Sequence, residues 1–163
     1  MAIAKAKKRE ISAKLSDILA KASSVVFVRF NKLSVADTAQ MRRSLKGEGV
    51  GYYVAKKTLI KRALGELGLS GELPEMPGEI AIAYSDGDAT APARTVYQST
   101  KKYKEALKIV GGVFEKAYAD ATKMIEIATI PPLPVLRGMF VNVINSPRQG
   151  FVMALDQIAK SKA

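Results

Sequence analysis

The chain has 163 residues, of which 48% are hydrophobic and 25% charged, enough to bury one ordinary hydrophobic core. It contains no Cys and no His, which excludes disulfides, thiol nucleophiles, the common zinc sites and histidine-based acid–base catalysis. The formal net charge of +11 is unevenly spread: residues 1–62 carry 15 Lys and Arg against 4 Asp and Glu, and residues 63–163 carry 11 of each. This asymmetry favours a polyanion-binding half beside a half with another task, and leaves open a basic surface that only promotes solubility.

The first elements follow from the spacing of apolar residues. Residues 8–22 repeat apolar positions at helical spacing, which predicts an amphipathic helix. The segment SSVVFVRF (23–30) is β-branched and aromatic and too short for a helix, which predicts a strand. Ser34 and Asp37 resemble a capping pair that opens the next helix, and Gly47 ends it.

The alternation of strands and helices continues to residue 130. We predict strands over VGYYVA, EIAIAYS and ALKIVGGVF, and helices over KTLIKRALGELG, ATAPARTVYQSTKKY and ADATKMIEIATI. In the first of these helices Thr58 is a candidate N-cap and Gly68 a candidate stop. The predicted fold class is therefore α+β: residues 1–130 form a two-layer domain with a four-stranded sheet and alternating helices.

A proline-rich break separates this domain from the rest of the chain. Residues 131–134 read PPLP, which predicts a stiff hinge. Residues 135–163 are predicted to form a long C-terminal helix, in which Pro147 favours a kink or a fresh helix start. No apolar run approaches the ~18 residues of a membrane span, so we expect a soluble, intracellular protein.

The C-terminal segment repeats one short pattern. RGMFVNVI (137–144) is echoed by RQGFVMAL (148–155) eleven positions later. Eleven helical residues make three turns with only ~20° left over, so equivalent residues of the two units share one face, ~16.5 Å apart. The candidate docking residues on this face are Leu136, Arg137, Phe140, Val141, Ile144, Arg148, Phe151, Val152, Leu155 and Ile158.

Three roles are open for this apolar face. It can lie on a membrane as a basic amphipathic helix, present paired sites to partner helices, or pack on its own domain. Residues 134–163 carry only four cations and one acid, which is weak for membrane binding. The hinge and the repeat favour docking to a protein partner.

The surplus of positive charge predicts an RNA interface in the first half of the chain. Because so few acids interrupt the cations, we interpret them as phosphate contacts rather than as an ordinary solvated face. Tyr52 and Tyr53 alternate on a strand, so one is expected to pack inward and the other is available to stack on a base or sugar. For either tyrosine alone, core packing is the preferred interpretation. The candidate RNA contacts are Lys8, Arg9, Lys32, Arg42, Arg43, Lys46, Lys56, Lys57, Lys61 and Arg62.

The sequence offers little to an enzyme. The glycines of GEGVG (47–51) follow a predicted helix and enter a strand, the reverse of a dinucleotide-binding fingerprint, and no phosphate-binding GxxxxGK[ST] loop occurs. Asp86 and Asp88 lie in a turn-like SDGD segment, where Asp favours turn hydrogen bonds. We therefore predict no catalytic residue, no cofactor and no metal.

The chain resembles a known family over nearly its whole length, the bacterial large-subunit ribosomal protein ten family. The resemblance rests on SVVFVRFNKLSVADTAQMRRSLKGEGVGYYVAKKTLIKRAL, on GEIAIAYSDGDATAPAR with LKIVGGVFE, and on SPRQGFVMAL. It implies an α+β domain bound to large-subunit rRNA beside ribosomal protein eleven. It also implies a C-terminal helix that carries dimers of the acidic stalk protein, which recruit translation-factor GTPases, on cytoplasmic or organellar ribosomes.

The resemblance also assigns individual residues and leaves an alternative. On the family's basic motif lie Arg42, Arg43, Lys56, Thr58, Leu59 and Arg62, as rRNA contacts or their supports. Many members read Lys-Asn-Thr-Leu where this chain reads KKTL, so Lys57 replaces an amide and trades a directional contact for added charge. The repeat predicts two dimers, four acidic copies per chain. A free RNA-binding regulator, including one that represses its own messenger, is the alternative function.

Overall fold

A computed structural model describes residues 5–31, 33–71, 73–103 and 106–162. The chain divides into two compact units, Met1–Ile130 and Pro131–Ala163. The first contains a five-stranded antiparallel sheet in the order β2-β3-β1-β4-β5. Its strands are β1 Ser24–Phe30, β2 Gly51–Val54, β3 Ile80–Ser85, β4 Leu107–Phe114 and β5 Ala117–Asp120. Its helices are α1 Lys5–Lys21, α2 Val35–Gly47, α3 Lys57–Gly65, α4 Ala91–Tyr103 and α5 Ala121–Thr129.

Apolar side chains fill both faces of this sheet. On β1, Val26 and Val28 pack with residues of α2, α4 and α5, while Val25 and Phe27 pack with residues of α1 and α3. All four of these side chains are nearly or completely buried, because successive residues of a strand point to opposite faces and each face has a helical cover. The unit therefore has three layers, helices on each side of a sheet.

The α+β class is confirmed, but two details of the prediction were wrong. The sheet has five strands rather than four, and helices cover two faces rather than one. The last two residues of the missed strand β5, Ala119 and Asp120, fall in the predicted helix, which actually begins at Ala121. Ala119 instead pairs with Gly112 of β4, across a tight connection in which Glu115 and Lys116 adopt positive φ angles of 50° and 63°. Four residues carry too little periodicity to reveal such a strand.

The ends of two helices test the capping predictions. Ser34 caps α2 as expected: its Oγ accepts from the backbone N–H of Asp37 at 3.1 Å and donates to the Asp37 carboxylate at 2.6 Å. Thr58, by contrast, does not cap α3. The N-cap is Lys56, which makes no side-chain capping hydrogen bond, so Thr58 lies inside the first turn. This helix also ends at Gly65, earlier than the predicted stop at Gly68.

The second unit contains one helix, α6, which runs without interruption from Leu133 to Lys162. Pro147 lies inside it and neither ends it nor begins a second helix. Proline lacks the N–H that would bond the carbonyl four residues earlier, so one rung of the helix is absent at Val143. Near its end, Lys160 donates to the Asp156 carboxylate at 2.7 Å, one turn away.

Candidate nucleic-acid interface and docking helix

The first group of predicted RNA contacts lies on α2. Arg42, Arg43 and Lys46 are all exposed, because Met41 and Leu45 turn the opposite side of the helix into the core. The Arg42 guanidinium lies over the ring of Tyr52, 5.6 Å from its centroid. This cation–π contact positions the charged group at the surface without an ion pair to a carboxylate of the described residues. Burial raises the pKa of Tyr52 to about 12, against the opposing influence of Arg42.

Helix α4 extends this cationic surface with two lysines that are not among the predicted RNA contacts. Lys102 Nζ donates to Gln40 Oε1 of α2 at 3.3 Å, which brings the last turn of α4 beside α2. Lys101 Nζ lies 4.7 Å from the centroid of the Tyr97 ring. In sequence the pair looked like ordinary basic residues of a helix C-terminus, and only the packing of α4 on α2 associates them with the other cations.

The second group of predicted contacts lies across the sheet, on α1 and α3. Ile60 and Leu64 bury one side of α3 against the core, and Lys61 and Arg62 are exposed on the other. A surface groove of about 530 Å³ runs between the two helices. Arg62 lies 3.8 Å from Glu66 at that groove. The residues that line it are Arg9, Ser12, Ala13, Ser16, Leu59, Arg62 and Glu66.

The cations of α2 and α3 do not share one face of the sheet. Their helices pack on opposite faces of the sheet, joined by β2, which is the edge strand between them. Lys56, Lys57 and Thr58 are exposed where β2 gives way to α3. The structure thus arranges the predicted contacts on both sides of one sheet edge. Lys32 lies outside the described residues, and the side chain of Lys8 is not described.

The two adjacent tyrosines of β2 both pack against the core. Tyr52 lies against the face covered by α2, and Tyr53 against the face covered by α3. Each side chain is half-buried. Core packing, the preferred interpretation for either tyrosine alone, is therefore confirmed for both, because a three-layer fold gives each face of β2 a helical neighbour.

Every predicted docking residue on α6 is exposed. None of the described residues of this helix is buried. Phe140 is 68% exposed and Phe151 is 67% exposed, values unusual for phenylalanine on a folded protein. Because the helix is continuous, the eleven-residue spacing puts these two rings on one face, as the repeat requires. The arrangement presents two similar apolar patches in succession.

The apolar face is wider in the first unit than the predicted stripe. Met139 and Val143, both exposed, extend the predicted face on the side away from Val141. At 100° per residue the apolar arc from Met139 to Val141 spans about 200° of the helix. In the second unit the positions equivalent to Met139 and Val143 are Gly150 and Ala154. The two patches therefore have equivalent Phe side chains at their centres, but the first is more apolar along one side.

Within the described residues, no group of three acidic side chains is placed to hold a metal ion. Asp88 accepts from the Thr90 backbone N–H at 2.9 Å and lies 3.4 Å from Arg94. These contacts hold the pKa of the Asp88 carboxyl below its usual range, with the Thr90 hydrogen bond as the main cause. Asp88 thus stabilises the turn before α4.

The length and hydrophobicity of the helices bear on whether the C-terminal segment could enter a membrane. Among the described residues, no single helix is long and apolar enough to cross a bilayer. Helices α5 and α6 meet the length and composition criterion only when they are counted together across the break between them.

Comparison with known proteins identifies the family. The model of the ribosomal protein L10 family matches residues 3–101. The chain is 35% identical over 153 residues to large ribosomal subunit protein uL10 of Shouchella clausii (strain KSM-K16), covering 94% of this chain and 89% of that protein. It is 32% identical over 155 residues to the protein of the same name from Clostridium acetobutylicum, covering 95% and 92% respectively. This chain belongs to the ribosomal protein L10 family and is a protein of the large ribosomal subunit.

Proposed function

We propose that residues 1–130 bind large-subunit rRNA through the cations that surround the β2 edge. Six of these cations are exposed on α2, on α3 or at the start of α3: Arg42, Arg43, Lys46, Lys56, Lys57 and Lys61. RNA phosphates attract such clusters and release condensed counterions on binding, which gives affinity without acidic or catalytic groups. The observation that most strongly supports RNA binding is that the whole excess of positive charge falls in residues 1–62.

We also propose that α6 is the docking helix for the acidic stalk protein. Two successive apolar patches on one uninterrupted helix fit two dimers, four copies per chain, with Phe140 and Phe151 as the anchors. Binding of helices to an amphipathic helix draws its affinity from apolar area removed from water, which these exposed rings supply. Acidic partners are also favoured by Arg137 and Arg148, one in each unit.

Together these activities make the chain the base of the ribosomal stalk in the cytoplasm. Residues 1–130 anchor it to rRNA beside ribosomal protein eleven, and residues 135–163 carry the dimers that recruit translation-factor GTPases. The hinge predicted at residues 131–134 is shortened to Pro131 and Pro132, because α6 already begins at Leu133. In this proposal the chain itself performs no catalysis. An isolated chain that hydrolyses GTP after repurification contradicts this part of the proposal.

The RNA interface is tested by two double variants of the full chain, Arg42→Ala with Arg43→Ala on α2, and Lys56→Ala with Lys57→Ala before and in α3. Each is expected to weaken binding to an rRNA transcript by about 2 kcal/mol, at roughly 1 per phosphate contact. Each should also reduce the slope of log affinity against log salt by about 2. Unchanged affinity in both folded variants contradicts the placement.

A matched control separates charge at the interface from charge in general. Replacing Lys160 and Lys162 by Ala on α6 removes two positive charges far along the sequence from the proposed interface, and RNA affinity should stay the same. Sucrose-gradient fractionation of a cell lysate then distinguishes the two functions. Migration with large subunits supports the ribosomal function, whereas a pool bound only to messenger RNA favours a free regulator.

A further inference from the structure

A cavity of about 580 Å³ opens where β1 and β2 end and β3 and α3 begin. Its volume lies within the ~300–1,000 Å³ range of small-ligand pockets. Its wall is mainly apolar, formed by Ile11, Phe30, Val54, Leu59 and Ile80. A groove that only tracked phosphates would not need such a wall, so the cavity fits a flat apolar group delivered from outside.

The mouth of the cavity is cationic on one side. Lys56 and Lys57 line it and are exposed, and Thr58 lies beside them. The N-cap of α3 has no side-chain hydrogen bond. The backbone N–H groups of Lys57 and Thr58, which precede the first hydrogen bonds from Leu59 and Ile60, remain available to an anion. An apolar wall beside a phosphate-binding mouth matches the two halves of a nucleotide.

One acidic residue also lines the cavity. It is Glu79, next to Gly78, whose positive φ of 80° shapes the turn into β3. A carboxylate repels phosphate, so the phosphate belongs at the Lys56–Lys57 side and the base in the apolar interior. The carboxylate can also accept a hydrogen bond from an exocyclic amine of adenine, cytosine or guanine.

We propose that this cavity takes one unpaired nucleobase of a bound RNA, with the adjoining phosphate at the start of α3. The proposal rests on the RNA-binding function proposed above and deepens it, because a cavity for a base lets the domain prefer RNA with an extruded nucleotide over a regular duplex. Recognition of unstacked bases on apolar and aromatic side chains is the usual route to selectivity in RNA binding.

The test uses the full chain and two short RNA hairpins of one sequence. One carries a single bulged adenosine, and the other carries an abasic ribose phosphate at the same place, so their charges are identical. The hairpin with the base should bind about tenfold more tightly, the size expected for one stacked base. The ratio should hold as salt rises, although both affinities fall. Equal affinities overturn the proposal and leave the cavity to an apolar side chain of a neighbouring protein.

A filled cavity provides the second arm. Ala55→Phe places a ring at a lining residue without changing charge, and should abolish the tenfold preference while leaving affinity for the abasic hairpin unchanged. The matched control is Ala117→Phe, at an exposed position on β5, the other edge of the sheet, which should keep the preference. A preference that survives in folded Ala55→Phe puts the base elsewhere and refutes the site. If neither hairpin nor rRNA binds, the RNA-binding function itself fails.

Discussion

Removing one anchor from α6 gives a direct measure of the docking face. Phe151→Ala deletes a ring that is 67% exposed in the free chain. Full burial of a Phe side chain is worth about 1.5–3 kcal/mol, and the exposed two thirds of that is about 1–2 kcal/mol. Because this area is still available to be buried by a partner, we expect the variant to bind the acidic stalk protein about 5- to 30-fold more weakly at one site.

Isothermal titration of the purified stalk protein into the full chain measures this loss, and should resolve one weakened and one unchanged dimer. The control is Gln149→Ala, which lies about 160° around the helix from Phe151 and should leave both affinities as they are. Thermal unfolding of the first unit should also be unchanged, because α6 has no buried residue in the described chain. Equal binding by the two variants would refute the apolar face as the docking surface.

Three other predictions test the second patch, a helix cap and a buried tyrosine. Truncation after Asn145 should leave one dimer, so native mass spectrometry should find two acidic copies instead of four; a truncated chain that still holds four contradicts the repeat. Ser34→Ala should lower the free energy of unfolding in urea by about 1 kcal/mol through loss of the cap, whereas Ser44→Ala, which removes only a bond to the Gln40 carbonyl within α2, should cost less. Tyr52 has a folded-state pKa of about 12 against 10.0 when unfolded, so its contribution to stability is complete below pH 10 and is lost as the pH rises toward 12. Urea unfolding at pH 9 and pH 11.5 should show this loss, and Tyr52→Phe should diminish it.

Local chemistry made several elements readable from the chain alone. The Ser34 cap uses atoms three residues apart, so the sequence contains the whole interaction. The eleven-residue repeat is likewise a property of one helix, and an uninterrupted α6 puts its two units on one face as the spacing predicts. The confinement of excess charge to residues 1–62 needs no coordinates either.

Contacts between distant segments decided the rest. Periodicity shows that β1 is buried but not which helix covers which face, so the sequence could not reveal that α2 and α3 lie on opposite sides of the sheet. The strand β5 depends on pairing with β4, since its own four residues have no distinctive pattern. The start of α3 and the cavity beside it likewise arise where four elements meet, and the lysines of α4 join the cationic surface only through packing on α2. Local sequence determines how each segment folds and which side is apolar, whereas the assembly of those apolar sides determines which surface residues become neighbours.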